Sequence, residues 1–184
     1  MMKSKQRNTD RYHSKYSFAM ITFMHDNPLL PLFRDPYKIL NEAGLRWGQK
    51  VLEVGCGPGY FTIPAANIVG NEGIVYAVDV HPLAIKRVEA KIKAQDKENI
   101  FPLLGNASNT GLPEESIDLA FMIGLPYIVG GQERVLSEIN RLLTPGGFLS
   151  YRKSRGREEK LITEVERSGL TYSEKQGKFF IFRK

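Results

Sequence analysis

Apolar residues downstream of position 50 fall into short continuous runs, and the stretches between these runs carry apolar residues every three or four positions. Short runs that are almost wholly apolar are typical of parallel strands covered on both faces. A spacing of three or four positions predicts amphipathic helices. The predicted strands are 51–54, 74–78, 100–104, 117–123, 148–151, 171–175 and 179–182, and the predicted helices are 60–69, one that begins at Pro82, 132–143 and 157–168.

The alternation of strand and helix predicts an α/β protein. Units of strand, helix and strand with right-handed crossovers build a doubly wound, mostly parallel sheet, here of seven strands. The last two strands meet at Gln176-Gly177 with no helix between them, which predicts a hairpin and one antiparallel edge strand. Upstream, amphipathic stretches at 16–24 and 32–43 predict two helices, the second ending before Gly44. Residues 1–184 are expected to form a single domain.

Composition narrows the class of protein. The 42% hydrophobic and 25% charged residues fit a globular chain and exclude global disorder. The single cysteine excludes an internal disulfide and a cysteine-based zinc cluster. The three histidines lack metal-ligand spacing, so no metal site is expected. No apolar run approaches the ~20 residues that span a bilayer, and we therefore expect a cytoplasmic protein without a membrane partner.

The net charge of +6 is unevenly distributed along the chain. Residues 1–50 carry nine Lys/Arg and four Asp/Glu, residues 51–150 carry seven and eleven, and residues 151–184 carry ten and five. An acidic middle between basic ends argues against a polycation that coats nucleic acid. It leaves two interpretations open, solvated lysines on terminal segments or basic segments that flank a site.

A glycine-rich turn follows the first predicted strand, at the place where open α/β sheets bind their ligands. Gly55, Gly57 and Gly59 form a G-x-G-x-G pattern that allows a tight turn and a close approach of the backbone to a ligand. A dinucleotide fingerprint would need glycine at position 60, which is Tyr60. A phosphate-binding loop would need Gly-Lys-Ser/Thr, which is absent. The turn is therefore shaped for backbone contact without the features that bind phosphates.

An acidic residue lies at the end of each of the first two predicted strands. Glu53 lies beside the glycine turn, where a carboxylate repels phosphates and suits a cationic ligand. Asp79 follows Gly59 by 20 positions, where a carboxylate can accept hydrogen bonds from both ribose hydroxyls. Asp79 is also a candidate cap for the helix that begins at Pro82. Together the two acids favour a cationic nucleoside with an unphosphorylated ribose, a description that fits S-adenosylmethionine.

Four segments resemble the motifs of class I S-adenosylmethionine-dependent methyltransferases, the broad type that includes quinone-biosynthesis and arsenite methyltransferases. VLEVGCGPGYFT (51–62) is similar to the first motif and YAVDVHP (76–82) to the second. GNASNTGLPEESIDLAFM (105–122) is similar to the third, and LLTPGGFL (142–149) to the signature that leads into the fifth strand. The resemblance covers residues 45–151 and implies a Rossmann-like methyltransferase fold.

The resemblance also implies roles for single residues around S-adenosylmethionine. Asn106 stands where the family usually has aspartate, and its amide offers the adenine amino group both an acceptor and a donor. His81 is expected to contact adenine or solvent. Residues 1–44 are expected to form a helical lid over the site. The implied cofactor-binding residues are Glu53 near the methionine ammonium, Gly55, Cys56, Gly57 and Gly59 in the turn beside the methionine portion, Asp79 at the ribose, Val80, Asn106 and Ala107 at the adenine, and Ile123 near the methionine portion.

The sequence names two weak candidates for a catalytic group. His25 reaches the acceptor as a base in one interpretation and is a surface or capping histidine in the other. Tyr127 lines an acceptor pocket or belongs to a packing turn. The segment Ile123–Tyr127 faintly resembles the Asn-Pro-Pro-Tyr of amino-group methyltransferases, but without the asparagine it does not identify the acceptor. Cys56 is not expected to be a nucleophile, because small residues fit the turn sterically and no histidine is near in sequence.

We therefore expect an S-adenosylmethionine-dependent methyltransferase with an unidentified acceptor. A small molecule is preferred, because no segment of the chain forms an inserted substrate domain. RNA or protein as the acceptor is one alternative, and the basic residues that follow the fifth strand would then track RNA phosphates. A non-catalytic S-adenosylmethionine-binding subunit is the other. Those basic residues are Arg152, Lys153, Arg155 and Arg157.

Overall fold

The computed structural model describes residues 34–125, 127–153 and 156–184. The predicted helix at 16–24, His25 and most of the expected lid lie outside the described residues. The strands are β1 (Lys50–Val54), β2 (Ile74–Asp79), β3 (Ile100–Leu104), β4 (Ile117–Ile123), β5 (Leu143–Arg152), β6 (Thr171–Gln176) and β7 (Phe179–Arg183). The helices are α1 (Pro36–Glu42), α2 (Thr62–Val69), α3 (Pro82–Ala94), α4 (Gln132–Leu142) and α5 (Glu158–Glu166).

All seven strands join one sheet, in the order β3-β2-β1-β4-β5-β7-β6. Neighbouring strands from β3 to β5 are parallel, whereas β7 is antiparallel to both β5 and β6. The predicted fold class, a doubly wound and mostly parallel seven-stranded sheet, is confirmed. The reversed strand of the closing hairpin is β7, which inserts between β5 and β6 and leaves β6 at the edge.

Helices cover both faces of the sheet and create two apolar layers. On one face α1, α2 and α3 pack on side chains such as Val51, Leu119 and Phe121. On the other face α4 and α5 pack on side chains such as Leu52 and Leu149. Burial on both faces explains why the central strands are almost wholly apolar. No helix of the described residues is both long and apolar enough to cross a membrane.

Several element boundaries differ from the prediction by one to five residues, and two of the differences have a clear physical reason. Helix α2 begins at Thr62 rather than at residue 60, because the glycine turn continues through the two aromatic residues before it. Strand β5 begins at Leu143, which pairs with Ile117 before an irregularity shifts the register to Leu119 and Phe148. The Leu143–Ile117 pair is a backbone contact that forms before the chain passes through Thr144–Gly147. Because this contact does not involve a run of apolar side chains, the sequence pattern did not predict it.

The segment between β3 and β4 is fastened to α4 by one carboxylate. Glu138 accepts hydrogen bonds from the Thr110 backbone N–H at 3.0 Å, from the Thr110 hydroxyl at 2.8 Å and from Arg141 Nε at 2.8 Å. The Arg141 hydrogen bond, with the two from Thr110, lowers the pKa of Glu138 to about 2. The ionised form is therefore the one that the folded chain favours.

Replacing Glu138 by glutamine is expected to lower the free energy of unfolding by about 1.5–3 kcal/mol near pH 7, the range for hydrogen bonds to charged groups. A lowered carboxyl pKa contributes stability that is present above the ordinary value of 4.5 and is lost as the pH falls towards about 2. Urea unfolding of wild type and Glu138→Gln between pH 7 and pH 2.5 should therefore show a shrinking difference. A difference that stays constant with pH would contradict the role of the ionised carboxylate.

Candidate functional site

A cavity of about 420 Å³ lies at the carboxyl ends of β1, β2 and β4. Parallel sheets of this kind bind ligands at this edge, and the volume falls within the range of about 300–1,000 Å³ that is usual for small-molecule sites. Most of the wall is apolar, with side chains such as Val54, Phe61 and Ile128. Asp79 is the one carboxylate, and Arg34 the one arginine or lysine, among the described residues that line it.

The glycine turn forms the floor of the cavity and is fixed to β2. The backbone N–H groups of Gly55 and Cys56 donate to the Val78 carbonyl at 2.8 and 3.1 Å. Gly57 has a positive φ of 54°, and a Cβ at this position would project into open space with no atom within 4 Å. The backbone is therefore accessible to a ligand there. Gly59 has a different role, because its Cα packs against α3 and a Cβ would lie 3.1 Å from Val88 Cγ2.

Asp79 holds the turn with one oxygen and the start of α3 with the other. Its Oδ2 accepts from the Gly57 N–H and its Oδ1 from the His81 N–H, both at 2.8 Å. Burial raises the pKa of Asp79, and these hydrogen bonds oppose the shift. A carboxylate has about four acceptor positions, so Asp79 keeps acceptor capacity beyond these backbone partners, and the residue lines the cavity. A hydroxyl donor at this point would find an oriented acceptor.

The cap of α3 is His81 and not Asp79. His81 Nδ1 accepts from the Leu83 N–H at 3.2 Å, and Pro82 occupies the first turn of the helix. The alternative in which Asp79 caps this helix is therefore wrong. Its carboxylate bonds instead to the two backbone N–H groups that border the cavity. His81 itself also lines the cavity.

Glu53 lies beneath the turn and is not among the residues that line the cavity. The residue is 3% exposed, and its Oε2 accepts from the Thr62 hydroxyl at 2.6 Å. Burial raises the pKa of Glu53 to about 8, with a further contribution from the Asp79 charge, while the Thr62 hydrogen bond acts in the opposite direction. The predicted contact between Glu53 and a cationic ligand stays a prediction.

Cys56 lies in the wall of the cavity with its thiol buried. Burial raises the pKa of this thiol, and the charges of Glu53 and Asp79 raise it further. A thiol that resists ionisation is a poor nucleophile. This environment gives a physical reason for the expectation that Cys56 has no nucleophilic role.

The predicted adenine-edge residues divide into two groups. Val80 and Ala107 line the cavity, together with Gly105, which the sequence analysis did not single out. Asn106 does not line it. Its Oδ1 accepts from the Ser108 N–H at 3.0 Å, and its amide packs so closely on Gly130 that a Cβ there would lie 2.3 Å from Nδ2. The Asn106 side chain thus supports the loop after β4, and its predicted contact with adenine stays a prediction.

The opposite wall is formed by residues at and beyond the end of β4. Ile123 and Tyr127 line the cavity, as does Leu125, whose side chain covers Gly55 so closely that a Cβ there would lie 2.4 Å from Leu125 Cδ2. Tyr127 is thus placed at the cavity wall, whereas His25 lies outside the described residues. A catalytic role for either residue stays a prediction.

Sequence reasoning missed the contribution of Arg34 and the two aromatic residues after the glycine turn. The Tyr60 hydroxyl donates to the Arg34 carbonyl, and the Arg34 guanidinium lies 5.6 Å from the centroid of the Phe61 ring. All three residues line the cavity. The one sequence feature that pointed to these contacts was Tyr60, which stands where a dinucleotide fingerprint would have glycine. Within the described parts of the chain, no group of three or more His, Cys, Asp or Glu side chains is arranged to hold a metal ion.

Comparison with known proteins bears on the function of this cavity. A family model described as a methyltransferase domain matches residues 51–147. A demethylmenaquinone methyltransferase of Geobacillus stearothermophilus is 34% identical over 111 residues, which cover 60% of this chain and 47% of that protein. An aklanonic acid methyltransferase of Streptomyces sp. (strain C5) is 32% identical over 108 residues, 56% of this chain and 47% of that protein. The chain therefore spans about half the length of these curated relatives.

A solved structure supports the fold. The crystal structure of a SAM-dependent methyltransferase from Aquifex aeolicus superposes with a TM-score of 0.75 at 23% identity, and the match covers 92% of this chain and 96% of that chain. At this level of identity the likeness concerns the fold alone. The alternation of strands and helices is thus shared over nearly the whole of both chains.

Glu53→Gln is expected to raise the melting temperature at pH 7.5. Because burial raises the pKa of Glu53 from 4.5 to about 8, the unfolded chain ionises this group across that interval while the folded chain holds it protonated. The wild type therefore loses stability as the pH rises from about 4.5 to about 8, and the amide does not. Glutamine retains an acceptor for the Thr62 hydroxyl.

Thermal unfolding of both proteins at pH 4.5, 6 and 7.5 measures this effect. We expect little difference at pH 4.5 and a gain of at least ~4 °C at pH 7.5, which corresponds to about 1–2 kcal/mol for a domain of this size. Glu72→Gln, at an exposed turn, is the matched control and should show no such dependence. An advantage of Glu53→Gln that is equal at all three pH values would refute the assignment.

Proposed function

The chain belongs to the methyltransferase domain family, and on this premise we propose that it transfers a methyl group from S-adenosylmethionine to a small-molecule acceptor. The family resemblance inferred from the four sequence motifs is confirmed, together with S-adenosylmethionine as the cofactor class. The observation that carries the proposal is the position of Asp79. Its carboxylate lies in the wall of a cavity at the strand ends and is anchored to the glycine turn by the Gly57 N–H.

The residues around the cavity fit this cofactor. Asp79 offers an acceptor for a ribose hydroxyl, and Gly57 offers accessible backbone. Val80 and Ala107 supply apolar surface for the adenine ring. The wall formed by Ile123 would then lie beside the methionine portion. In this arrangement the ligand runs from the end of β2, across β1, towards the end of β4.

When bound, S-adenosylmethionine supplies an electrophilic methyl group. The chain's own contribution is to position the acceptor in line with that methyl group and to exclude water. Leu125 and Ile128 provide apolar surface for this purpose at the β4 end of the cavity. Of the two catalytic candidates, Tyr127 lies among the described residues, and it lines the same wall. Its hydroxyl is the group proposed to hold or move a proton of the acceptor.

A small acceptor is supported by the shape of the site. The cavity has a volume of about 420 Å³ and a mostly apolar wall, and because the cofactor itself would occupy much of that volume, the space left in it suits a compact acceptor. The names of the two relatives also describe small acceptors, demethylmenaquinone and aklanonic acid. Those substrates belong to the relatives, and the acceptor of this chain is proposed only as a class.

Asp79→Asn is expected to weaken S-adenosylmethionine binding at least tenfold, because an amide cannot accept at both positions. Asp118→Asn is the matched control. The Asp118 carboxylate also accepts from a backbone N–H, that of Lys50 at 2.8 Å, but at the start of β1, away from the cavity. Isothermal titration of both variants should show near-wild-type affinity for the control. An unchanged affinity in Asp79→Asn would reject the ribose role, and no binding by the wild type would overturn the proposed function.

A labelled-methyl screen identifies the acceptor class. The chain is incubated with S-adenosylmethionine carrying a radioactive methyl group and with separate pools of metabolites, RNA and protein. We expect label in the metabolite pool and none in the other two. Label in RNA or protein would contradict the small-molecule proposal. Cofactor binding without transfer to any pool would instead support the non-catalytic subunit.

A further inference from the structure

An arginine with an incomplete set of hydrogen bonds lies in the cavity wall. Arg34 precedes α1, and its backbone carbonyl accepts a hydrogen bond from the Tyr60 hydroxyl. Its side chain lies over the Phe61 ring, and its Nε is buried without a hydrogen-bond partner among the residues that the structure describes. A buried charged donor without an acceptor is costly, and such groups are normally satisfied by protein, water or ligand. The wall therefore contains a cationic donor that lacks an acceptor.

A second arginine, Arg152, lies beside the β4 end of the cavity but is not among the residues that line it. Arg152 ends β5 and pairs in register with Ile123, and its carbonyl accepts from the Gly124 N–H at 2.9 Å. Ile123 and Gly124 both line the cavity. The Arg152 guanidinium lies 6.0 Å from the centroid of the Phe179 ring, on the side of the sheet that also carries α1.

The charge of Arg152 acts on Arg34. Burial lowers the pKa of Arg34, and the positive charge of Arg152 lowers it further, although an arginine remains charged at any physiological pH. No carboxylate of the described residues forms an ion pair with either one. Two like charges that interact without a counterion among the described residues are unfavourable, and a bound anion would reduce that cost.

We propose that Arg34 and Arg152 form an anion-binding subsite and that the methyl acceptor is a small molecule with an apolar body and a carboxylate or phosphate group. Guanidinium groups match carboxylate and phosphate oxygens in bidentate geometry. Arg34 lines the cavity and Arg152 lies beside its β4 end without lining it, whereas Asp79 lies at the β2 end. The anion would thus fasten the acceptor at the far side from the ribose, with its apolar part against Ile123 and Leu125. This inference rests on the proposed function.

The carboxylate of S-adenosylmethionine itself offers the same chemistry, so the test must separate the two sources. The full-length chain is saturated with S-adenosylhomocysteine, which carries that carboxylate. Benzoate and phenyl phosphate are then titrated, with benzamide as the uncharged analogue, and binding is followed by protein NMR. We expect at least one anion to bind at least tenfold more tightly than benzamide to the loaded protein.

Charge-removing variants locate the binding. Arg34→Gln and Arg152→Gln should each weaken anion binding at least tenfold while changing S-adenosylhomocysteine affinity less than threefold, and Arg34→Lys should retain part of the anion binding. Arg46→Gln is the matched control, because it removes one exposed charge before β1 and does not line the cavity. It should bind the anion as the wild type does.

Two results would overturn the subsite. The first is an anion affinity no greater than that of benzamide. The second is a tenfold loss of S-adenosylhomocysteine affinity in both glutamine variants, which would assign the arginines to the cofactor carboxylate. Failure of the wild type to bind either nucleoside would reject the proposed function instead, and the anion titration repeated without nucleoside would still test the subsite.

Acceptors found in the labelled-methyl screen should be anionic, with a raised KM in Arg152→Gln, and an uncharged acceptor would contradict the inference.

Discussion

The hydrogen bonds between the glycine turn and the end of β2 determine the geometry of the whole cavity. Val78 accepts from the N–H groups of Gly55 and Cys56, and Asp79 accepts from that of Gly57. These contacts place the turn against the strand ends, and helix α2 begins directly after it. Because Asp79 also bonds to His81 at the start of α3, one carboxylate aligns two crossover connections of the sheet. A rigid floor of this kind costs a ligand little reorganisation on binding.

The charge pattern of the sequence has a spatial counterpart in the site. The acidic middle of the chain contributes Glu53 beneath the turn and Asp79 in the cavity wall. The basic segments on either side contribute Arg34 to the cavity wall and Arg152 beside it. The cavity therefore has a carboxylate acceptor at its β2 end and an arginine donor elsewhere in its wall. Net charge alone carried no information about this arrangement, because the count sums lysines and arginines along the whole chain.

Local spacing was enough to predict the parts of the site that lie at the strand ends. The position of Gly57 follows from the constraints of the tight turn after β1, and that of Asp79 from the end of β2. Arg34 could not be predicted, since its link to Tyr60 spans 26 positions and depends on how α1 packs on the sheet. Asn106 is the opposite case, a predicted ligand contact that is not among the residues lining the cavity. Its place after β3 suggested a ligand contact, yet the local bond to Ser108 directs its amide towards Gly130. Tertiary packing decides such side-chain orientations, and a one-dimensional pattern does not encode it.

The position of β7 has a consequence for how the chain reaches its fold. Residues 179–183 follow β5 and β6 along the chain, yet they pair on both sides, with β5 and with β6. Until this segment leaves the ribosome, β5 presents an open edge of unpaired backbone groups, which is a template for association with other chains. Phe179, Phe180 and Phe182 are buried only when the strand inserts. The edge of β5 is therefore open to association with other chains until one short strand inserts beside it and closes this part of the sheet.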